Sequence, residues 1–194
     1  MSPRTEEQNE LLRSAARARI LDAALTLFGR HGYEGTTVKL IAQEAGVAQG
    51  LLYNYFQSKE HLLAEIFQQS MADVRESFAM AEQAAPTERV GALIRSAFAV
   101  VRRNERFWRL SYASRSQIPV LAALGVDMAA WTGEIRATVA RYFRDAGAAQ
   151  PEIEAAVLFA LIDGVSQHYV LMPEHYPLAE VEALLLEQYA LIRG

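Results

Sequence analysis

The sequence predicts an all-α fold, with an N-terminal three-helix helix-turn-helix domain followed by a larger C-terminal helical bundle. Three observations predict it. Apolar residues recur at the helical spacing i, i+3, i+4, i+7, and no segment alternates with period two for long enough to make a strand. Eleven glycines and six prolines are few for 194 residues, while Ala, Leu, Glu and Arg are abundant, a composition that favours helix. Two short periodic segments, 37–45 and 48–56, are joined by a tight turn at Gly46-Val47.

The elements follow in order. Leu21, Ala24, Leu25 and Phe28 form one stripe of a first helix over about 11–30, widened by Ile20, Ala23 and Leu27. His31-Gly32 ends it, because glycine tolerates the left-handed conformation past a helix C-terminus. Gly35-Thr36-Thr37 opens the second helix, where a threonine hydroxyl can accept from a free first-turn amide. Val38, Ile41, Ala42 and Ala45 give it one apolar face. Gln49 to Phe56 read as a third helix with Leu52 and Phe56 inward. Ser58 caps a fourth, which runs through Phe78 and stops before Pro86, and Glu60 suits its positive end. Further helices are expected over 87–103, from an Asn104 cap through Tyr112, from Pro119 to about Ala146, over 151–171 with Pro151 at its first position, and over 178–192.

Composition bounds the function. Just over half of the residues are apolar and 22% are charged, enough to build a packed globular core. There is no cysteine, which excludes disulfides, thiolate nucleophiles and cysteine-ligated metals. The polar N-terminus has no apolar signal core, and no apolar run approaches the roughly 18 residues of a membrane span. A cytoplasmic protein is expected. Net charge is −4, unlike most nucleic-acid binders, but residues 11–59 carry Arg13, Arg17, Arg19, Arg30, Lys39 and Lys59 against Asp22, Glu34 and Glu44. That stretch is mildly basic, and the local field is what a polyanion meets.

The spacing of the second and third helices suits a helix-turn-helix, whose second helix enters the major groove, and equally suits an ordinary helical hairpin. The third helix favours the former. Gln49, Gly50, Leu51, Tyr53 and Asn54 lie away from Leu52 and Phe56, a bulky polar and aromatic face that packs poorly and fits a groove. Gly50 costs about 1 kcal/mol of helix propensity against alanine, a cost with a reason if backbone must approach a base edge or phosphate.

These residues resemble the tetracycline-repressor (TetR) family of bacterial regulators. The resemblance is carried by Ile20-Leu21-Asp22-Ala23-Ala24, Leu27-Phe28, His31-Gly32-Tyr33, Thr36-Thr37-Val38, Ile41-Ala42, Ala45-Gly46-Val47, Gly50, Leu52 to Phe56 and Ser58 to Leu63. It implies a dimeric repressor released from a palindromic, double-stranded DNA operator by a small-molecule inducer. It further implies that Thr36 and Thr37 start the support helix near phosphate, that Gln49 and Leu51 face base edges, and that Gly50 permits close approach. Tyr53, Asn54 and Tyr55 would contact phosphate, sugar or thymine methyls, Tyr55 alternatively packing inward. Lys59, with Lys39 as a further candidate, would neutralise phosphate. The sequence departs from the family pattern at Ala48, where a capping serine is usual, at Gln49, where lysine is frequent, and at Asn54, where histidine is common. Glutamine pairs with adenine where lysine favours guanine.

The expected organisation is an N-terminal arm over 1–15, a DNA-binding domain over 16–60 and a ligand-binding and dimerisation domain over 61–194. For the last, the resemblance is architectural and implies dimerisation through the two final helices, with Val157, Leu161, Gly164, Val165, His168, Val181 and Leu185 as the interface. Phe107, Trp108, Tyr112, Arg115, Trp131, Phe159, Asp163 and Gln167 are candidates to line a ligand pocket, or else plain core. Arg102, Arg103, Arg106, Arg109 and Arg115 either recognise an anionic ligand such as an acyl-CoA or form a salt-bridged face. His168 and His175 lack a third ligand at helical spacing, so no metal site and no cofactor is expected. Two rival readings are an enzyme on a helical bundle and a helical adaptor. The enzyme would need convergent ligands or a phosphate loop, neither of which the sequence offers.

Overall fold

The computed structural model describes residues 6–113, 122 and 127–190, and among them every regular element is helical. Among these described residues α-helices follow one another as α1 (Glu6–His31), α2 (Val38–Glu44), α3 (Gln49–Tyr55), α4 (Lys59–Glu82), α5 (Arg89–Arg103), α6 (Glu105–Ala113), α7 (Met128–Asp145), α8 (Pro151–Leu171) and α9 (Leu178–Ala190). A single 3-10 turn, Pro86–Glu88, leads into α5. The all-helical expectation is met. Two sequence signals, Arg115 and the break at Pro119, lie outside the described residues.

Helix α1 begins at Glu6, so the stretch expected as an arm over 1–15 is helical from residue 6 onward. Glu6 and Glu7 in its first turn and Arg30 and His31 in its last complement the helix dipole. Burial starts only at Ala16, which is why an apolar stripe could not reveal the first turns.

The chain divides into two compact units, one built on residues up to 69 and the stretch from 110, the other on 70–109 and from 127 on. The division falls inside α4. In the first unit Ile20, Ala24 and Phe28 of α1 meet the buried Ile41 and Ala42 of α2 and Leu52 of α3, with Phe56, Leu62 and Ile66 closing the core. Burying each large side chain contributes about 1.5–3 kcal/mol relative to exposure. That fixes α3 against α2 despite helices too short to be stable alone.

The turn between them is set by local chemistry. Gly46 takes φ +65. Its amide donates to the Gln43 carbonyl and the Val47 amide to the Ala42 carbonyl, the paired bonds of a Schellman stop. Any side chain at position 46 would be strained in that conformation.

In the second unit α7 and α8 pack most extensively against each other, and α5 and α9 complete the layer. Its core joins Leu93, Ile94 and Phe98 to Val139, Tyr142, Phe143, Leu158, Val165 and Tyr189. Asp127, unrecognised in the sequence, caps α7 by accepting from the Ala130 amide. Asn104 joins α5 to α6 as expected, but through its backbone. Its carbonyl accepts from the Trp108 amide while its side-chain amide donates to Asp73 at 2.9 Å.

Four of the expected interface residues lie inward in this chain. Val165 and Leu185 are buried in this chain's own core, and Leu161 and Val181 pack against it. The exposed side of α8 runs instead through Ile153, Val157, Gly164, His168 and Leu171, and that of α9 through Leu184.

Candidate nucleic-acid interface

The third helix owes its place to two inward residues, Leu52 and Phe56, both fully buried. With those fixed, the 100° step of an α-helix sends Gly50, Leu51 and Asn54 outward and leaves Gln49 and Tyr53 on one flank. Gln49, Gly50 and Asn54 are exposed, Leu51 keeps 37% of its surface and Tyr53 48%, while Tyr55 is half-buried. The side chains of Lys39, Gln49, Tyr53 and Asn54 make no hydrogen bond or ion pair with a described residue. Their polar groups stay open to a partner.

Two features make this helix locally expensive. Its N-cap is Ala48, which offers no side-chain hydrogen bond, and a missing cap costs about 1 kcal/mol. Gly50 adopts ordinary helical backbone, and a Cβ built there would meet nothing within 4 Å. Nothing inside the molecule asks for glycine at this position.

Around the third helix, the threonines separate. Thr37 caps α2, its hydroxyl accepting from the Leu40 amide at 3.2 Å, and stays exposed. Thr36 is 1% exposed and donates its hydroxyl to the Gly32 carbonyl at 2.8 Å. Expected near phosphate, Thr36 is instead a buried pin between the end of α1 and the start of α2.

Lys59 also has internal work. Its ammonium donates to the Tyr33 carbonyl at 2.9 Å and sits 3.9 Å from the centre of the Tyr33 ring. The Tyr33 hydroxyl donates to Glu60 at 2.5 Å. Burial first, and then this hydrogen bond, push the Tyr33 phenol well above its ordinary range, and the same bond holds the Glu60 carboxyl below its own. The start of α4 is thereby tied to the chain leaving α1. Sequence reasoning missed this tie, since Tyr33 and Lys59 are 26 residues apart. Ser58 caps α4 as expected, accepting from the His61 amide, while His61 Nδ1 accepts from the Gln57 amide. Arg17 reaches Glu65 at 2.6 Å and lies over the Phe56 ring.

The candidate ligand residues are less convergent. Trp108 is buried and meets Phe107 edge to face. Trp131 and Phe159 pack against the second core, Asp163 is partly buried and Gln167 is exposed. Tyr112 belongs to the first unit. The arginine cluster resolves into ion pairs: Arg102 with Glu182, Arg103 with Glu76 through two bonds, and Arg109 with Glu105 and the Val170 carbonyl. That is the salt-bridged face.

Two family models match the chain. Residues 20–66 match bacterial regulatory proteins of the tetR family, and residues 86–192 match the C-terminal part of BetI-type transcriptional repressors. The chain is 36% identical over 84 residues to the HTH-type transcriptional regulator BetI of Agrobacterium fabrum, a match covering 42% of this chain and 41% of that protein. It thus spans about two fifths of the length of that curated relative. Among solved structures, a TetR-like transcriptional regulator from Rhodococcus sp. RHA1 superposes with a TM-score of 0.73 at 22% identity, over 91% of this chain and 93% of that one. A SmeT–triclosan complex does so with a TM-score of 0.66 at 26% identity, over 90% of each chain. No helix among the described residues is long and apolar enough to cross a membrane.

Proposed function

The chain belongs to the tetR family of bacterial regulatory proteins, and from that premise we propose that it is a ligand-responsive transcriptional repressor. It binds a palindromic DNA operator as a homodimer in the cytoplasm and leaves that operator when a small molecule binds. The observation that carries the reading is the outward side and flank of α3, where Asn54, Gln49 and Tyr53 have no partner among the described residues on a helix weakened by Ala48 and Gly50. A surface that forgoes its own stability in this way is accounted for by a duplex that supplies the missing contacts.

Tyr53 and Asn54 contact phosphate, sugar or thymine methyls, Lys39 neutralises phosphate, and Thr37 presents the exposed start of α2 to the backbone. Lys59 serves first by holding α4 to Tyr33. The relatives' names are those of regulators, which leaves an enzymatic role as the less supported reading.

For the homodimer, the support is the exposed apolar run of Ile153, Val157 and Leu171 on α8 with Leu184 on α9. A Cβ at Gly164 would meet nothing within 4 Å, so a partner helix can approach that point closely. Two-fold symmetry in the protein then matches two-fold symmetry in the operator.

The name of the SmeT–triclosan complex places a small molecule in a protein of the same fold. In this chain the effector binds the second unit, among Phe107, Trp108, Trp131, Phe159, Asp163 and Gln167. Helix α4, which contributes residues to both units, carries the response. By linkage, operator binding weakens effector affinity by the same factor.

The test is fluorescence anisotropy with duplexes drawn from the region upstream of the gene. A specific duplex should bind more tightly than a scrambled one. Tyr53→Ala should weaken binding by about 1–3 kcal/mol without altering the circular dichroism spectrum. Equal affinity for specific and scrambled duplexes, or an unaffected Tyr53→Ala variant, overturns the reading.

A further inference from the structure

We propose that α3 specifies A·T base pairs, with Gln49 as the residue that selects adenine in each half-site. This rests on the DNA-binding reading above and names what that surface recognises.

The outward and flanking residues of α3 are Gln49, Gly50, Leu51, Tyr53 and Asn54, and none is charged. In the major groove guanine is read best by a cation on O6 and N7, and cytosine by a carboxylate on N4. The helix carries neither. What it does carry is two amides and two apolar surfaces. An amide pairs with N6 and N7 of adenine through its own donor and acceptor, and apolar groups meet the thymine methyl.

The nearby cations do not fill the gap. Lys59 is held by Tyr33 and Arg17 by Glu65. Lys39 lies on α2, the helix that faces the phosphate backbone in this motif.

Position singles out Gln49. It is the first residue of α3, and the N-terminal residues of a recognition helix are those that meet base edges. Its side chain is exposed and unpartnered, so both ends of the amide remain available. Gly50 follows with nothing near its missing Cβ, which lets the backbone at Gln49 come close to the groove floor. Leu51 and Asn54 stand outward beside Gly50, around the helix from Gln49, to meet a thymine methyl and a second adenine.

The experiment is selection from a library of randomised duplexes by the whole chain and by Gln49→Ala, Gln49→Lys and Asn54→Ala. All three substitutions replace exposed side chains that hold nothing inside the protein. The wild type should enrich inverted half-sites with one position where adenine is preferred about ten- to a hundredfold over other bases. Gln49→Ala should flatten that position alone, Gln49→Lys should turn its preference to guanine, and Asn54→Ala should flatten a different position. Enrichment of guanine at the discriminating positions by the wild type, or unchanged preferences in Gln49→Ala, overturns the proposal while leaving DNA binding intact. Failure to enrich any sequence removes the DNA-binding reading and this proposal with it.

Discussion

The outward side of α3 and the arginine-rich surface of α5 and α6 are both polar and both exposed, yet they are built on opposite principles. On α5 and α6, Arg102, Arg103 and Arg109 are answered within the chain, by Glu182, Glu76 and Glu105. On α3 the polar groups are answered by nothing, and the helix beneath them lacks both a side-chain cap and a propensity reason for its glycine. Charge density alone would have chosen the other surface. Unsatisfied bonding capacity held on a rigid base is what a partner could use, and among the described residues α3 offers it.

The contrast can be broken at its base. Phe56 is fully buried beneath α3. Phe56→Ala should cost about 3–5 kcal/mol of stability, seen in a denaturant titration, and should abolish operator binding at the temperature where the first unit melts. Retained binding there would mean that α3 does not depend on its core.

A smaller effect sharpens it. Gly50→Ala should raise stability by about 0.5–1 kcal/mol, because nothing opposes the added methyl in the free chain, and should lower operator affinity. Stability and binding moving in opposite directions is the signature of a residue kept for a partner. A variant that gains both would remove that interpretation.

The smallest effect is on pH dependence. Glu60, held down first by its Tyr33 hydrogen bond, and Glu82, held down first by Arg141, have carboxyls below their ordinary value. Their contribution is complete above the unfolded carboxylate range, near pH 4.5, and is lost as pH falls through the lower folded values. Burial, and then the Glu82 hydrogen bond, push the Tyr142 phenol up to about 12. Its contribution is complete below pH 10 and is lost as pH rises towards 12. Melting temperatures should therefore decline at both extremes, and Glu60→Gln should shallow the acid limb. A flat profile below pH 4.5 would show that these pairs contribute nothing.

Most of the helices were legible because each buries one face, so the apolar period of α1, α2 and α4 appears directly in the sequence. The first turns of α1 were not, since Glu6 to Ala15 bury no apolar residue and leave only propensity to read. On α8 the difficulty was the reverse. Ile153, Ala156, Leu158, Phe159, Leu161 and Ile162 surround the helix with apolar residues, so the sequence reveals a helix but not its rotation, and Val165 faces inward.

At the candidate interface the outward positions of α3 followed from Leu52 and Phe56 alone. The roles of Thr36 and Lys59 did not. Two adjacent threonines look alike in a sequence, and which one is buried depends on how the end of α1 approaches them. The lysine's partner is a carbonyl on another element.

That bond has an architectural consequence. Tyr33 and Lys59 bracket the segment that holds α2 and α3, and the bond between them brings the two ends of that segment together. Beyond that closure, what the segment asks of its host is the apolar face of α1, against which α2 and α3 pack. Segments with a different outward face can therefore be exchanged between Tyr33 and Lys59 so long as they keep the residues that pack on α1.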